Sequence, residues 1–315
     1  MALQQAKLTH FDLEKENNIK ANRKKVSVAK ITSFVILLAF CIIWILPFFI
    51  MFAGSFRSAY DSTNFPKELF PPHSGWSVEM YKFLLLGIAP DNVIHNANQE
   101  YAIGFWILNS CFSAIGGTLL YLLVASMAAY VFVFVNWKGK NLLFYFLVGT
   151  MVIPGAATAV GNLQTVYNTG LNNSILALII PSLGGIYGMY LIKTFFESIP
   201  KDLVESAKMD GCNNFKIFRK VVIPLGKTVL FVQGLFGFMA GWNDLVWPQM
   251  LFGTKDTKLW TLQVGMAYVI NNSKTSDLIG TALAGGVICF VPVLIVYLIA
   301  QNKIIEGMAT AGIKR

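Results

Sequence analysis

Ile31-Thr-Ser-Phe-Val-Ile-Leu-Leu-Ala-Phe-Cys-Ile-Ile-Trp-Ile-Leu-Pro-Phe-Phe-Ile-Met-Phe-Ala53 contains no Asp, Glu, Lys or Arg. It is long enough to cross a bilayer as one helix, which takes about 20 residues. Outward from it, comparable apolar runs recur at roughly 105–135, 142–161, 172–195, 223–246 and 277–300. The composition agrees: 55% of residues are hydrophobic, 13% are charged and the mean hydropathy is +0.58. Soluble domains carry about 25% charged residues. The chain therefore reads as an all-α integral membrane protein with six transmembrane helices. The first run exceeds the apolar core of a signal peptide, and Phe52-Ala53-Gly54-Ser55 is a poor cleavage site, so the segment is expected to be retained.

With the N-terminus placed in the cytoplasm, roughly three quarters of the 25 Lys and Arg residues fall in the inner segments. Both termini are thus expected to be cytoplasmic, and the +9 formal charge faces the inner leaflet and whatever docks there rather than a nucleic acid. Three regions follow: a polar tail at 1–30, a six-span domain at 31–301 and a tail at 302–315. The outer segment at about 54–104 carries Pro66, Pro71, Pro72 and Pro90 with Trp76, Tyr81 and Phe83. It reads either as a docking surface or as a lid of short helices. Cys41, Cys111 and Cys289 lie within spans and Cys212 in an inner loop, so no disulfide framework is expected. His10, His73 and His95 are scattered, and no metal site is expected.

The longest inner loop between spans, about 197–222, separates the fourth and fifth spans. Pro200 suits the start of a helix because it lacks an N–H that would be orphaned there. The helix should stop at Gly211, which tolerates the left-handed cap conformation. Asn213 or Asn214 can then cap a second helix, made amphipathic by Phe215, Ile217, Phe218, Val221 and Val222 on the way to Pro224. The expected product is a helix-turn-helix elbow that touches another protein. Spacing alone equally allows a membrane-surface helix whose charges are merely solvated.

Phe196-Glu-Ser-Ile-Pro-Lys-Asp-Leu-Val-Glu-Ser-Ala-Lys-Met-Asp-Gly211 with Phe218-Arg-Lys-Val-Val-Ile-Pro-Leu225 resembles the "EAA" loop of binding-protein-dependent ABC importer permeases. The departure is Ser206 in place of the first Ala, which is also small. Leu46-Pro47, Ser55-Phe56-Arg57, Asn109-Ser110 and Ile153-Pro154 are similar to family positions in the first three spans. Gly241-Trp-Asn-Asp-Leu-Val-Trp-Pro248 and Gly307-Met-Ala-Thr-Ala-Gly-Ile-Lys314 resemble the carbohydrate-uptake subfamily, specifically its MalG-like half.

The resemblance implies a type I ABC importer transmembrane domain in a bacterial cytoplasmic membrane. It also implies a second permease chain, two ATPase subunits beneath and an extracytoplasmic solute-binding protein. Glu205, Ser206, Ala207, Asp210, Gly211, Ile223 and Pro224 would receive the ATPases: Glu205 by charge-assisted hydrogen bonds, Ala207 by close packing, Gly211 by setting the turn. No cofactor is expected on this chain; ATP and Mg belong to the partners. The residues agree, because Gly226-Lys227-Thr228 has Val221 where a phosphate-cradling loop needs glycine. The chain is not expected to be an enzyme.

Ionisable residues are nearly absent from the spans, which disfavours a proton-driven carrier. The neutral groups Asn162, Gln164, Tyr167, Tyr187, Tyr190, Gln233, Trp242 and Asn243 are candidates for a path suited to a hydroxyl-rich solute such as a sugar. Each taken singly also fits interhelical hydrogen bonding or interfacial anchoring. Asp244 is expected near the outer end of the fifth span. Gly184-x-x-x-Gly188 and Gly237-x-x-x-Gly241 read as close-packing sites. Polyamines and glycerol phosphodiesters share the architecture. A stand-alone carrier would need an internal repeat or coupling charges, and a membrane enzyme a catalytic constellation, neither of which is found.

Overall fold

The computed structural model describes residues 28–58, 61, 75–88, 102–253, 257–272 and 279–312. Most of the polar N-terminal region, the three histidines, Pro66, Pro71, Pro72, Pro90 and the last three residues lie outside the described residues. Among the described residues every regular element is helical. The chain divides into two units, Met1–Ala53 and Gly54–Arg315.

The first unit holds most of α1 (Val28–Ser55), with Pro47 inside it. Its side chains from Lys30 to Phe49 are exposed, Trp44 at 73%. An apolar surface of that extent suits lipid rather than water.

The second unit begins with α2 (Glu79–Leu86) and α3 (Ile103–Phe134), the latter interrupted by a π-helical turn at Phe112–Gly116. Then come α4 (Lys140–Thr150), α5 (Gly155–Asn168), α6 (Leu176–Gly184) and α7 (Ile186–Phe196). The elbow is α8 (Lys201–Met209) and α9 (Asn214–Leu225). After it come α10 (Lys227–Asn243), α11 (Val246–Phe252), α12 (Leu262–Asn272) and α13 (Ile279–Gly312). Helix α13 continues past the boundary at 301 drawn from apolar length.

Among the described residues three helices are long and apolar enough to cross a membrane, Lys30–Ser55, Ile103–Phe134 and Ile279–Gln301, or up to six if each bent pair counts as one span. The pairs are α4 with α5, bent 102°, α6 with α7, bent 49°, and α9 with α10, bent 80°. Their breaks have local causes. Pro154 sits in the extended region at the first break. Pro181 lies in a 3-10 turn and Gly185, at φ -63 and ψ 86, leaves the helical conformation at the second. Pro224 withdraws an N–H two residues before Gly226 at the third. Gly226 also lets Phe196 pass: a Cβ there would meet its ring at 2.6 Å.

Two apolar clusters hold the second unit together. One joins Met80, Phe83, Trp106, Trp242, Phe252, Trp260 and Leu262. Its Trp106 ring stacks on Trp260 with centroids 5.9 Å apart. Asn109 Nδ2 donates to the carbonyls of Lys258 and Trp260 at 2.8 and 2.9 Å, and Ser110 Oγ accepts from Leu262 N at 2.8 Å, so this dipeptide fixes the strap leading into α12. The other cluster joins Tyr130, Phe132, Phe144, Ile192, Phe196, Val204, Ile217, Phe218 and Val222, and it carries the elbow.

Candidate functional site

In the elbow, α8 buries one side and shows the other. Val204 is 2% exposed, Ile199 just before the helix is 6% and Ala207 is half-buried. Glu205, Ser206, Lys208 and Asp210 are exposed. Pro200 is the N-cap, one position before the first helical residue. At the other end Gly211 has φ +76. Cys212 N donates to Ala207 O and Gly211 N to Lys208 O, both at 3.0 Å. This paired closure stops the helix and turns the chain. Asn213 Oδ1 then accepts from Lys216 N at 2.8 Å and starts α9, whose Ile217 and Val222 are fully buried. A π-helical turn at Phe218–Val222 leads to Ile223, half-buried, and Pro224, exposed.

The elbow is therefore bolted to the apolar cluster by Val204, Ile217 and Val222 and presents a surface that mixes charge with grease. Leu203 is 46% exposed, Met209 89% and Phe215 63%. The sequence pattern put Phe215 on the apolar side of α9; it faces outward because the buried stripe runs through Ile217, Phe218 and Val222. Leu203 and Met209 were not read as contact residues from sequence. Their signal is exposure of large apolar groups beside Glu205, which only the fold reveals.

A second feature is a cavity of about 370 Å³ enclosed by α3, α6, α7, α10 and the start of α11. Its polar lining includes Ser113, Thr118, Tyr121, Ser182, Gln233 and Asp244. Glycines draw the walls together: a Cβ on Gly241 would stand 3.0 Å from Ala114 Cα, and one on Gly237 3.1 Å from Thr118. A Cβ on Gly188 would overlap the Tyr121 hydroxyl, whereas Gly184 meets nothing within 4 Å and Gly185 takes its expected place against Tyr121. Thr118 Oγ1 is buried with no hydrogen-bond partner among the described residues, and Gln233 is 5% exposed. Asp244 Oδ1 accepts from Trp247 N at 3.3 Å and so faces both the cavity and the first turn of α11.

Of the residues read as a path, Gln233 and Tyr187 line this cavity. Trp242 is 2% exposed and its Nε1 donates to Cys289 O at 3.0 Å, tying α10 to α13. Asn243 Nδ2 donates to Met239 O, and Gln164 Nε2 to Asn168 Oδ1 at 3.0 Å, both on exposed faces. Asn162 and Tyr167 are also exposed on α5. Tyr190 stacks on Phe144, centroids 6.2 Å apart. Ser113, Thr118, Tyr121 and Ser182, absent from the sequence reading, also line the cavity, Ser113 from the π-helical turn and Ser182 from the 3-10 turn. No group of three or more His, Cys, Asp or Glu that could hold a metal occurs among the described residues.

Comparison with known proteins gives relatives along most of the chain. The arabinooligosaccharides transport system permease protein AraQ of Bacillus subtilis is 24% identical over 288 residues, covering 91% of this chain and 97% of that protein. The diacetylchitobiose uptake system permease protein NgcG of Streptomyces coelicolor is 27% identical over 282 residues, 89% and 87% of the two chains. The sn-glycerol-3-phosphate transport system permease protein UgpE of Yersinia pestis is 26% identical over 211 residues, 67% and 74% of the two chains. Residues 20–308 match the family described as binding-protein-dependent transport system inner membrane component, and the chain belongs to that family as a multi-pass membrane permease.

Proposed function

We propose that this chain is one permease half of an ATP-driven sugar importer of type I architecture, with six spans and both termini in the cytoplasm. A second permease chain completes the path, two ATPase subunits sit on the cytoplasmic side where the elbow meets them, and an extracytoplasmic binding protein delivers the solute. ATP and Mg stay with the ATPases: the residues before Gly226-Lys227-Thr228 are helical, and Val221 stands where a phosphate-binding loop needs glycine. The observation that carries the reading is the elbow: α8 is anchored by Val204 and exposes Glu205 and Met209 side by side. A merely solvated helix has no use for an exposed Met209 beside a rigid base. Nucleotide-driven closure of the ATPases pushes on this lever, and the spans rock around the cavity.

Two observations support a neutral, hydroxyl-rich solute. The relatives AraQ and NgcG are named for arabinooligosaccharides and diacetylchitobiose, and the cavity offers hydroxyls, an amide and aromatic rings. UgpE is named for sn-glycerol-3-phosphate, which makes a phosphorylated solute the second reading. The lining disfavours it: among the described residues no Lys, Arg or His borders the cavity, and Asp244 would repel a phosphate.

The test is a photo-crosslinking amino acid at Met209 in native membranes. Capture of an ATP-hydrolysing subunit supports the reading. Labelling of lipid alone returns the elbow to a surface helix with solvated charges.

A further inference from the structure

A second pocket, of about 290 Å³, lies at the elbow end of the second unit. Three lysines reach it from three elements: Lys140 from the start of α4, Lys193 from the last turn of α7 and Lys201 from the start of α8. Phe144 and Ile199 supply apolar walls. Lys193 is fixed in place. Its Nζ pairs with Glu197 Oε1 at 2.7 Å, lies 4.2 Å from the centroid of the Phe144 ring, and its side chain is 16% exposed. Glu197 therefore compensates Lys193. Lys140 Nζ donates to the Val135 carbonyl at 3.4 Å, and neither it nor Lys201 has a carboxylate partner among the described residues. The pocket keeps an excess of positive charge in a partly enclosed space, where Coulomb attraction is stronger than on open surface.

Its position defines the occupant further. The apolar helices α3, α4 and α7 all begin or end here, beside Trp137 and Lys138, the residue types that mark a membrane–water boundary. On α4, directly after Lys140, Leu142 is 78% exposed, Tyr145 70% and Phe146 68%. A ligand with an anionic head and apolar tails matches both surfaces at once. Basic pockets between transmembrane helices bind anionic lipid head groups in this way.

We propose that Lys140, Lys193 and Lys201 form a binding site for the phosphodiester of an anionic phospholipid, with acyl chains lying along α4. Glu197 orients Lys193, and the bound lipid ties the base of the elbow to the bilayer. The site is independent of which solute the transporter carries.

Native mass spectrometry of the full-length chain, purified in detergent with its co-purifying subunits, tests this with phosphatidylglycerol, phosphatidylcholine and inorganic phosphate as probes. The wild-type protein should retain phosphatidylglycerol on the order of tenfold better than phosphatidylcholine. Lys140→Gln with Lys201→Gln should remove that preference, while Lys220→Gln with Lys227→Gln, an equal loss of charge at exposed positions outside the pocket, should keep it. Equal retention of the two lipids by the wild-type protein overturns the proposal without any variant. So does an equal effect of the two double variants. Inorganic phosphate that displaces phosphatidylglycerol at matched concentration makes the pocket a free-anion site and overturns the lipid assignment. Protection of Lys140 and Lys201 from amine-reactive label by a protein subunit in lipid-free sample assigns the pocket to that subunit instead.

Discussion

Gly188 shows how one hydrogen atom in place of a methyl group shapes the cavity. A Cβ at this position would overlap the Tyr121 hydroxyl and come within 2.8 Å of Gln233 Oε1. Gly188→Ala is expected to destabilise the fold by about 1–3 kcal/mol, as overpacking does. A thermal-shift measurement in detergent checks this, and Tyr121→Phe should restore part of the loss because the hydroxyl is the nearest atom. Gln233 is 5% exposed on the cavity wall, and under the proposed function it bonds a solute hydroxyl. Gln233→Leu should lower solute uptake by about tenfold while the amount of co-purifying ATPase stays the same. Uptake at wild-type rate would move the path elsewhere. Residue identity made Gln233 and Tyr187 legible as polar groups in an apolar chain. It could not separate them from Trp242 or Asn243, because the partner carbonyls at Cys289 and Met239 are set by packing or by the helix turn. Ser113, Thr118 and Ser182 were invisible for the same reason: a small hydroxyl in a span reads as filler until packing shows that it lines a cavity.

At the scale of elements, the elbow proposed as the lever depends for its stiffness on its buried side chains. Val204 is the buried side chain within α8, 2% exposed, with Ile217 and Val222 serving α9. Val204→Asp would bury an unpaired carboxylate, so α8 should detach instead. The expected outcome is faster proteolytic cleavage between Pro200 and Asn213 with membrane insertion unchanged; equal cleavage rates would show that α8 is held by something else. The elbow was the most legible element because its signals are local: Pro200, Gly211 and Asn213 each act within a few residues through the backbone. The spans were legible in place but not in shape. Hydropathy at 142–161 suggested one span, whereas Met151–Pro154 turns α4 into α5 through 102°. The prolines responsible were visible, but the size of each bend depends on what the neighbouring helices leave room for.

At the scale of the whole molecule, the cavity draws its walls from both apolar clusters of the second unit. Ala114 and Leu178 belong to the cluster around Trp106, and Tyr121 packs on the cluster that holds the elbow. Motion of the elbow cluster against the other would change the cavity directly, which is the arrangement alternating access needs. In our account the elbow is the lever, the cavity is the chamber, and partner ATPases supply the driving force.

A pull-down from native membranes tests that dependence most directly. The chain is recovered with Glu205 and Gly211 intact, and again as Glu205→Lys with Gly211→Pro, and each sample is probed for ATPase activity. Gly211 has φ +76, which proline cannot adopt, so the pair of changes removes a contact charge and the turn together. The account predicts that the native chain brings down an ATPase and that the altered chain, still inserted, loses it. Equal ATPase recovery with both chains would contradict the elbow as the coupling site, and none with either would contradict the importer reading itself.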